Sequence, residues 1–511
     1  MKPGTVPSVL KDMARHGDKA FLVIDADRLT FAQADARARR IASSLLAAGA
    51  GRGSRIAMLM GNSSEFAVTF LAITRIGAIA LPFSTMSTPR EIKGLLANAD
   101  CEFLIAAQSY RGRDFRGIMH EAISHNPDCH LLLPDVPALR RSWFGSEELE
   151  SAGALADLAV AHAEEQVTPA DTMALVHTSG STSAPKGVAH THGQVIRNMR
   201  LQNAARNLTG TEVLLSNSPW FWVGGLAYSF LAALIAGARL VCSSAKPAQM
   251  LDLLEAERPS LTNGVASTVL ALAEDPSFAG RDLSFMRRGN LYPIMPPEVR
   301  PKDPELRHNL LGMTETGSVC LFDPCEEDLP EAKRGSFGKP VAGLEARVVD
   351  PESGGDKPEG ELWLRGPNIM QGYYGRERHE TFDEDGWYHT GDMMSVDRDG
   401  HFFFKGRSGD IIRTSGAQVS PREVEGVLSD VTGGRMAIVV GIPDDRRGQL
   451  VTAIMVGQEP IDENALRDAL RDKLSPYKVP RRFMVMDESE LPTLSSGKID
   501  IKSLVELAGD R

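Results

Sequence analysis

The stretch Thr178-Ser179-Gly180-Ser181-Thr182-Ser183-Ala184-Pro185-Lys186-Gly187-Val188 directly follows a strand-like run, Met173–His177. Small hydroxyl side chains, exposed backbone N–H groups and a closing lysine are the groups that a polyphosphate needs. The stretch differs from a Walker P-loop, because that motif has Gly-Lys-Ser/Thr four residues after its first glycine and Pro185 interrupts the pattern. Taken alone, the loop is compatible with phosphate binding and equally with a flexible polar turn.

Helices and strands alternate on both sides of this loop. Before it, Thr30 and Gln33 form a capping-box pattern, and Thr88-Pro89-Arg90-Glu91 predicts the start of another helix. After it, strands are predicted at Arg239–Cys242 and Leu261–Val265, with a helix between them. Repeated strand-helix-strand units with short connections predict parallel sheets covered by helices.

The pattern changes near residue 335. From about 335 to 405, short strands are separated by Gly, Pro and Asp, which predicts a compact β-rich subdomain. The segment 410–511 mixes strands with a helix and is predicted to be a small separate domain. The joint between 1–408 and 410–511 is predicted within Arg407-Ser408-Gly409-Asp410.

Composition excludes several classes of protein. The chain has 511 residues, 67 acidic and 56 basic side chains, and a net charge of −11, which argues against nucleic-acid binding because that needs a basic face. Its five cysteines are scattered, its first residues lack a signal-peptide pattern, and its apolar stretches are interrupted by Arg75 and Arg239. We therefore expect a cytoplasmic protein without a membrane span.

Further motifs follow the loop in a fixed order: Gly312-Met313-Thr314-Glu315-Thr316, Gly360-Glu361-Leu362, Gly372-Tyr373, Tyr388-His389-Thr390-Gly391-Asp392, Gly406-Arg407 and Ser495-Ser496-Gly497-Lys498. With them the chain resembles the AMP-forming acyl-CoA synthetases, the adenylate-forming ligases, over essentially its whole length. The resemblance implies an α/β fold. Its parts are a large N-terminal body of two helix-covered sheets, a β-rich subdomain and a small mobile α+β C-terminal domain.

The resemblance also implies roles for individual residues. The loop of Thr178, Ser179, Gly180, Ser181, Thr182 and Lys186 would hold the β- and γ-phosphates of ATP. Thr314 would contact the α-phosphate, and Glu315 would hold Mg²⁺, a hard cation that prefers carboxylate oxygen. Asp392 and Arg407 would bind the ribose, and Lys498 would neutralise charge at the reacting carboxylate. Tyr388-His389 is more typical of packing than of chemistry.

Two departures from the family pattern affect the predicted adenine pocket. Leu311, before Gly312 and Met313, replaces a tyrosine that stacks on adenine in relatives. In the opposing wall, Leu291-Tyr292-Pro293-Ile294 stands where relatives have a small Gly-Gly-Ala-Pro segment. We expect either that Tyr292 takes over the stacking or that Leu291 and Tyr292 reshape the pocket.

The segment Pro219-Trp220-Phe221-Trp222-Val223-Gly224-Gly225 resembles the family's carboxylate pocket. Amino-acid-activating relatives have an aspartate where this chain has Trp222, which disfavours an α-amino acid. We therefore expect Trp222, Val223, Gly224 and Gly312 to surround an uncharged fatty or aromatic tail. The alternative is that Trp222 belongs to the core.

The resemblance implies a second half-reaction as well. The family rotates its C-terminal domain about a residue that corresponds to Gly409, and glycine accepts this rotation without steric cost. Ser415 and Gly416 would then line the path of the CoA pantetheine.

These features predict an enzyme that uses ATP, Mg²⁺ and coenzyme A to convert a carboxylic acid into an acyl-adenylate and then a thioester. Delivery to a carrier-protein thiol or an amine stays open, as does a non-catalytic homologue with an altered adenine pocket. A homodimer and an acyl carrier protein are possible partners.

Overall fold

The structure is a computed structural model. It describes residues 4–123, 133–151, 157–178, 185–264, 266–307, 309–350, 353–407, 412–492 and 499–510. Contacts between residues divide the chain into two compact units. The first unit comprises the chain up to Thr85 together with Leu96–His177 and Gly187–Lys405, and the second comprises Met86–Leu95, Thr178–Lys186 and the chain from Gly406 onward. The predicted domain boundary at 408 to 410 stays a prediction.

A seven-stranded sheet forms around the strand that leads into the predicted phosphate loop. Its central strands pair in parallel, as the alternating helices and strands predict. In spatial order its strands are Gly372–Tyr373, Lys186–Thr191, Thr172–Thr178, Ile79–Pro82, Arg55–Leu59, Phe103–Ala106 and Arg141–Phe144.

A second sheet has six strands, and all its neighbours pair in parallel except one antiparallel pair at the edge. In spatial order its strands are Arg288–Gly289, Leu261–Asn263, Val213–Ser216, Arg239–Cys242, Ala20–Ile24 and Asp27–Thr30. Buried apolar side chains of this sheet form a cluster with the helix Pro247–Glu257 and with Leu291.

Helices connect and cover these strands. Both predicted helix starts are confirmed: Thr30 and Gln33 cap each other at 2.9 and 3.1 Å, and the Thr88 backbone N–H donates to Glu91 Oε2 at 2.9 Å. The α-helices of the first 405 residues are Val6–Met13, Phe31–Ala47, Ser64–Arg75, Pro89–Asn98, Phe115–Ala122, Ser146–Ser151, Asp157–Gln166, His192–Ala205, Val223–Gly225, Ala232–Ala236, Pro247–Glu257 and Leu270–Ala273.

The region after residue 310 is β-rich, as its short Gly-, Pro- and Asp-bounded strands predict. A three-stranded sheet contains Leu311–Met313, Ser318–Phe322 and Lys339–Pro340. A four-stranded sheet contains Glu345–Val349, Glu359–Arg365, Tyr388–Val396 and Phe402–Arg407. Their buried side chains share one apolar cluster, so the two sheets pack as one body.

The second unit contains a five-stranded sheet with helices. Its strands are Ile412–Thr414, Ala417–Val419, Ala437–Asp444, Gly448–Val456 and Arg482–Met486. Its helices after residue 410 are Pro421–Val431, Glu463–Arg471 and Ile501–Asp510. The predicted α+β character of this part is therefore confirmed.

The predicted fold class is confirmed: the α/β body has two helix-covered sheets and a β-rich part, and a smaller α+β domain follows. Among the described residues, no helix combines the length and the apolar character needed to cross a membrane.

Candidate active site

A short β-hairpin carries the Thr314-Glu315 pair. Its strands, Leu311–Met313 and Ser318–Phe322, are antiparallel, and one 3₁₀ turn ending at Gly317, with φ of +66°, joins them. The Thr316 hydroxyl donates to the carbonyl oxygens that flank the turn, at 3.1 and 2.7 Å. The backbone of the turn is therefore held from both strands, and the Glu315 side chain stays half-buried at its tip.

The carboxylate of Glu315 has an uncharged partner. Tyr373 Oη donates to Glu315 Oε1 at 2.9 Å, and Tyr373 Oη lies 3.0 Å from Tyr388 Oη. Burial and the neighbouring Glu315 charge raise the pKa of Tyr373, so the phenol stays protonated. Among the described residues, no lysine or arginine forms an ion pair with Glu315. A half-buried carboxylate that has a hydroxyl donor and no cationic partner among the described residues fits a hard divalent cation such as Mg²⁺.

A buried histidine lies beside the turn. His190 Nδ1 lies 3.2 Å from Gln194 Oε1, and among the described residues its Nε2 has no hydrogen-bond partner. Burial lowers the pKa of His190 to about 4, although the hydrogen bond with Gln194 acts in the opposite direction. The ring is therefore neutral at physiological pH, and it packs against the end of the turn, where a Cβ atom on Gly317 would lie 3.4 Å from its Nδ1.

Asp392 lies beside the same hairpin. It belongs to the strand Tyr388–Val396, and its side chain is fully buried. Its backbone N–H donates to Thr390 Oγ1 at 3.0 Å. Burial, and then the Asp392 charge, raise the pKa of Cys320 to about 12, and Cys320 lies on the second strand of the hairpin. One strand therefore carries both Asp392 and Tyr388, the second tyrosine of the Glu315 network.

The segment predicted to contact the acid also approaches this hairpin. Residues Val223–Gly225 have Cα atoms within 8 Å of the strand Ser318–Phe322. Trp222 is half-buried and packs edge-on against Phe221 with ring centroids 5.3 Å apart. Its neighbour Trp220 is fully buried. Because Trp222 is more exposed than Trp220, we favour a role for Trp222 in the wall of a pocket over a role in the core. The role in the pocket wall stays a prediction.

The two glycines of this segment differ. A Cβ atom on Gly224 would meet open space, whereas one on Gly225 would lie 2.0 Å from the Pro219 carbonyl oxygen. Gly225 is therefore required for the close chain approach that precedes the π-helical turn Leu226–Leu231. Gly224, by contrast, is exposed and borders open space next to Trp222 in the sequence, and its predicted contact with the substrate stays a prediction.

The predicted adenine wall is divided between two apolar clusters. Leu311 is buried in the cluster of the β-rich region, beside Met313. Leu291 is fully buried in the cluster of the six-stranded sheet, and Tyr292 packs against that cluster while remaining half-buried. Of Leu291 and Tyr292, only Tyr292 is partly accessible. Its proposed stacking role stays a prediction.

The other predicted site residues belong to the second unit, and some of them lie outside the described residues. Thr178 ends the strand Thr172–Thr178, Lys186 begins the strand Lys186–Thr191, and both belong to the second unit, as does Arg407. Ser415 and Gly416 form the hairpin turn after the strand Ile412–Thr414, both with positive φ. Outside the described residues lie Ser179, Gly180, Ser181, Thr182, Gly409 and Lys498.

Sequence reasoning missed two supporting residues. Tyr373 received no role, and Tyr388 was assigned to packing. For His389 the packing interpretation agrees with the geometry, because its ring stacks on Trp363 at 3.7 Å. The available signal was the occurrence of Tyr373 and Tyr388 within the motifs that carry the resemblance.

One acidic cluster is already neutralised by the chain. Asp397, Asp399 and His401 lie close enough together to suggest a metal site. Lys333 Nζ lies among them, at 2.6 Å from Asp397 Oδ2 and 3.2 Å from His401 Nδ1. We therefore assign this cluster a structural role.

A Thr-Glu turn, a buried aspartate on a strand of the four-stranded sheet and a half-buried aromatic segment lie close together at one hairpin. Together with the fold, this arrangement defines the class of adenylate-forming enzymes. The chain belongs to the AMP-binding enzyme family: the family model matches residues 9–374, and the model of the AMP-binding enzyme C-terminal domain matches residues 423–498. The predicted family, and with it an enzyme of the AMP-forming ligase type, is confirmed.

Similar proteins span nearly the whole chain. A feruloyl-CoA synthase of Amycolatopsis sp. is 31% identical and covers 95% of this chain and 93% of its own length. A 3-hydroxybenzoate–CoA ligase of Aromatoleum sp. (strain CIB) is 28% identical, with coverage of 96% and 94%. The solved o-succinylbenzoate CoA synthetase of Bacillus subtilis has a TM-score of 0.78, 23% identity and 98% coverage of both chains, and supports the fold.

Proposed function

We propose that the chain is an ATP-dependent carboxylate–CoA ligase that acts on an uncharged fatty or aromatic acid. The observation that carries this proposal is the 311–322 hairpin, which brings Glu315, Asp392 and the Trp222 segment to one place. A site that activates an acid with ATP needs cation, ribose and acyl contacts close together, because the reaction depends on positioning and charge neutralisation.

In the first half-reaction, the acid attacks the α-phosphate of ATP and pyrophosphate leaves. Thr314 contacts the α-phosphate, Glu315 holds Mg²⁺ with its carboxylate, and Asp392 accepts hydrogen bonds from the ribose hydroxyl groups. Bound Mg²⁺ would neutralise phosphate charge. The loop Thr178–Lys186, Arg407 and Lys498 complete the proposed nucleotide and carboxylate contacts.

The acyl tail contacts Trp222, Val223, Gly224 and Gly312. The half-buried indole of Trp222 offers apolar surface, and Gly224 leaves room beside it. An α-amino acid lacks a carboxylate partner for its ammonium group at this position. The names of the feruloyl and 3-hydroxybenzoate ligases support an aromatic acid within the proposed range.

In the second half-reaction, the CoA thiol attacks the acyl carbon and AMP leaves. We propose Gly409 as the pivot for this step and Ser415-Gly416 as part of the pantetheine path. The Ser415 backbone N–H donates to the Arg447 carbonyl oxygen at 2.8 Å, which holds this turn in a defined shape. A Gly409→Pro variant should retain adenylate formation and lose thioester formation, whereas equal loss of both would contradict the pivot.

The cellular setting belongs to the same proposal. We propose a cytoplasmic enzyme with ATP, CoA and a small carboxylic acid as its partners, and a homodimer as its assembly. An acyl carrier protein or an amine as the acceptor is the alternative to CoA.

The test is pyrophosphate release from ATP over a panel of fatty and aromatic acids, with and without CoA. Acid-dependent release supports adenylation, and formation of acyl-CoA and AMP with CoA identifies the acceptor. Absence of release with every acid would favour a non-catalytic homologue. Lys498→Ala should still bind ATP but lose adenylation, and unchanged turnover would overturn the role of Lys498.

A further inference from the structure

Three elements meet at the Glu315 carboxylate. Glu315 lies on the hairpin turn, Tyr373 on the strand Gly372–Tyr373, and Tyr388 at the start of the strand Tyr388–Val396. The two hydrogen-bond distances, 2.9 and 3.0 Å, form a chain of two phenols that ends on the carboxylate.

The direction of these hydrogen bonds follows from their chemistry. An ionised carboxylate only accepts, so the single Tyr373 hydroxyl proton is directed to Glu315 Oε1. Tyr373 then has no second proton for the other phenol. Tyr388 Oη is therefore the donor to Tyr373 Oη.

Tyr373 is itself held firmly. It is 8% exposed and packs in the apolar cluster that also contains Met313 and Met370. Its backbone pairs antiparallel with the strand Lys186–Thr191 at Val188. The phenol thus has little freedom, and its hydrogen bond restricts the orientation of the Glu315 carboxylate.

We infer that Tyr373, supported by Tyr388, is a positioning residue that orients Glu315 for a divalent cation bound with ATP. Tyr373 donates to Oε1, so Oε2 is the oxygen that would hold the cation. A neutral donor orients the carboxylate without cancelling its charge, whereas a lysine in the same position would compete with the cation. The inference rests on the proposed role of Glu315.

The structure provides a matched control in the next residue. Tyr374 Oη also donates to a carboxylate oxygen, Asp100 Oδ2, at 2.8 Å. Tyr374→Phe therefore makes the same chemical change one residue away and at a different carboxylate. It should leave cation binding unchanged.

The experiment measures Mn²⁺ binding by electron paramagnetic resonance in the presence of a non-hydrolysable ATP analogue. It also measures the Mg²⁺ concentration for half-maximal pyrophosphate release. Tyr373→Phe should weaken cation affinity about 10- to 100-fold in both, the usual range for a residue that supports a metal ligand. Thermal unfolding of each variant reports whether the fold is intact.

A double-mutant cycle tests the order of the chain. Tyr388→Phe should weaken cation binding less than Tyr373→Phe does, and it should add nothing in a Tyr373→Phe background, since Tyr388 acts through Tyr373. Additive effects of the two substitutions would overturn this order.

Glu315→Gln distinguishes the proposed cation-binding role of Glu315 from the positioning role of Tyr373. If it leaves Mn²⁺ binding and pyrophosphate release unchanged, the proposed role of Glu315 fails. If Glu315→Gln weakens binding while Tyr373→Phe behaves like Tyr374→Phe, the positioning role alone is overturned.

Discussion

Two glutamates in this protein have opposite surroundings. Glu91, in the first turn of the helix Pro89–Asn98, is held by Lys478 Nζ at 2.9 Å and by Ser475 Oγ at 2.6 Å. Lys478 is itself buried and also contacts Glu423 at 2.8 Å. Glu315 has a neutral phenol as its partner.

This difference distinguishes a carboxylate that stabilises the fold from a carboxylate that is suited to bind a cation. A buried charge requires a partner, and at Glu91 the chain supplies the cation itself. At Glu315 the described residues supply a hydrogen bond that orients the carboxylate but no ion pair that compensates it. Lys333 supplies a cation to the cluster of Asp397, Asp399 and His401, as Lys478 does at Glu91. A group of neighbouring acids therefore does not by itself indicate a metal site.

Lys478→Met tests the compensated site and has the largest expected effect. It leaves Glu91 and Glu423, both partly buried, without the buried cation that they share, and loss of one partner of a buried ion pair costs about 3–5 kcal/mol. We expect the unfolding free energy of the second unit to fall by that amount, measured by urea unfolding of the full chain. Lys473→Met, at a lysine for which the described residues provide no ion pair, is the control. Equal stability losses in the two variants would refute the comparison.

Glu315→Gln tests the uncompensated site. Tyr373 can still donate to the amide oxygen, so we expect little change in unfolding. The rate of pyrophosphate release should fall about 100- to 1000-fold, because the charge that holds the cation is lost. Glu331→Gln, the same change at an exposed position, should keep the rate. A large loss of stability in Glu315→Gln would mean that the charge serves the fold.

Tyr292→Ala tests a second contrast, between a fully buried side chain and a partly accessible aromatic neighbour. Leu291 is fully buried, but its neighbour Tyr292 is only half-buried. Stacking on a base is worth about 1–3 kcal/mol, so the variant should raise the KM for ATP roughly ten- to a hundredfold. Steady-state kinetics at saturating acid measure this, and an unchanged KM would remove Tyr292 from the adenine site.

The pH dependence of stability is the smallest expected effect. Burial alone would raise the pKa of Glu91, but the Lys478 charge and hydrogen bonds lower it below its ordinary value of 4.5. Its stabilisation is therefore complete above that value and is lost as pH falls through the lowered pKa. In Lys478→Met, burial raises the pKa of Glu91 instead, and protonation relieves the uncompensated charge.

The stability difference between wild type and Lys478→Met should therefore shrink as pH falls from about 7 to about 3. Urea unfolding at several pH values measures this difference. A constant difference across that range would show that the loss comes from packing rather than from charge.

Much of the fold follows from local sequence. The caps at Thr30 and Thr88 were predictable because their partners lie three residues away, and local hydrogen bonding decides where a helix begins. The sequence predicts only short strands between about 335 and 405, but the strand Tyr388–Val396 is nine residues long, because it extends over the Tyr388-His389-Thr390-Gly391-Asp392 motif. Antiparallel pairing with the strand Glu359–Arg365 stabilises this extension, which the local pattern of apolar residues does not predict.

By itself, the sequence determined the family, the order of the elements and the residue types of the site, because motifs and caps depend on near neighbours. Only the tertiary structure decided which charges are compensated. Tyr373 lies 58 residues from Glu315, and Lys478 lies 387 residues from Glu91. Such partners are set by how strands and helices pack, and no local pattern encodes whether a glutamate meets a phenol or a lysine.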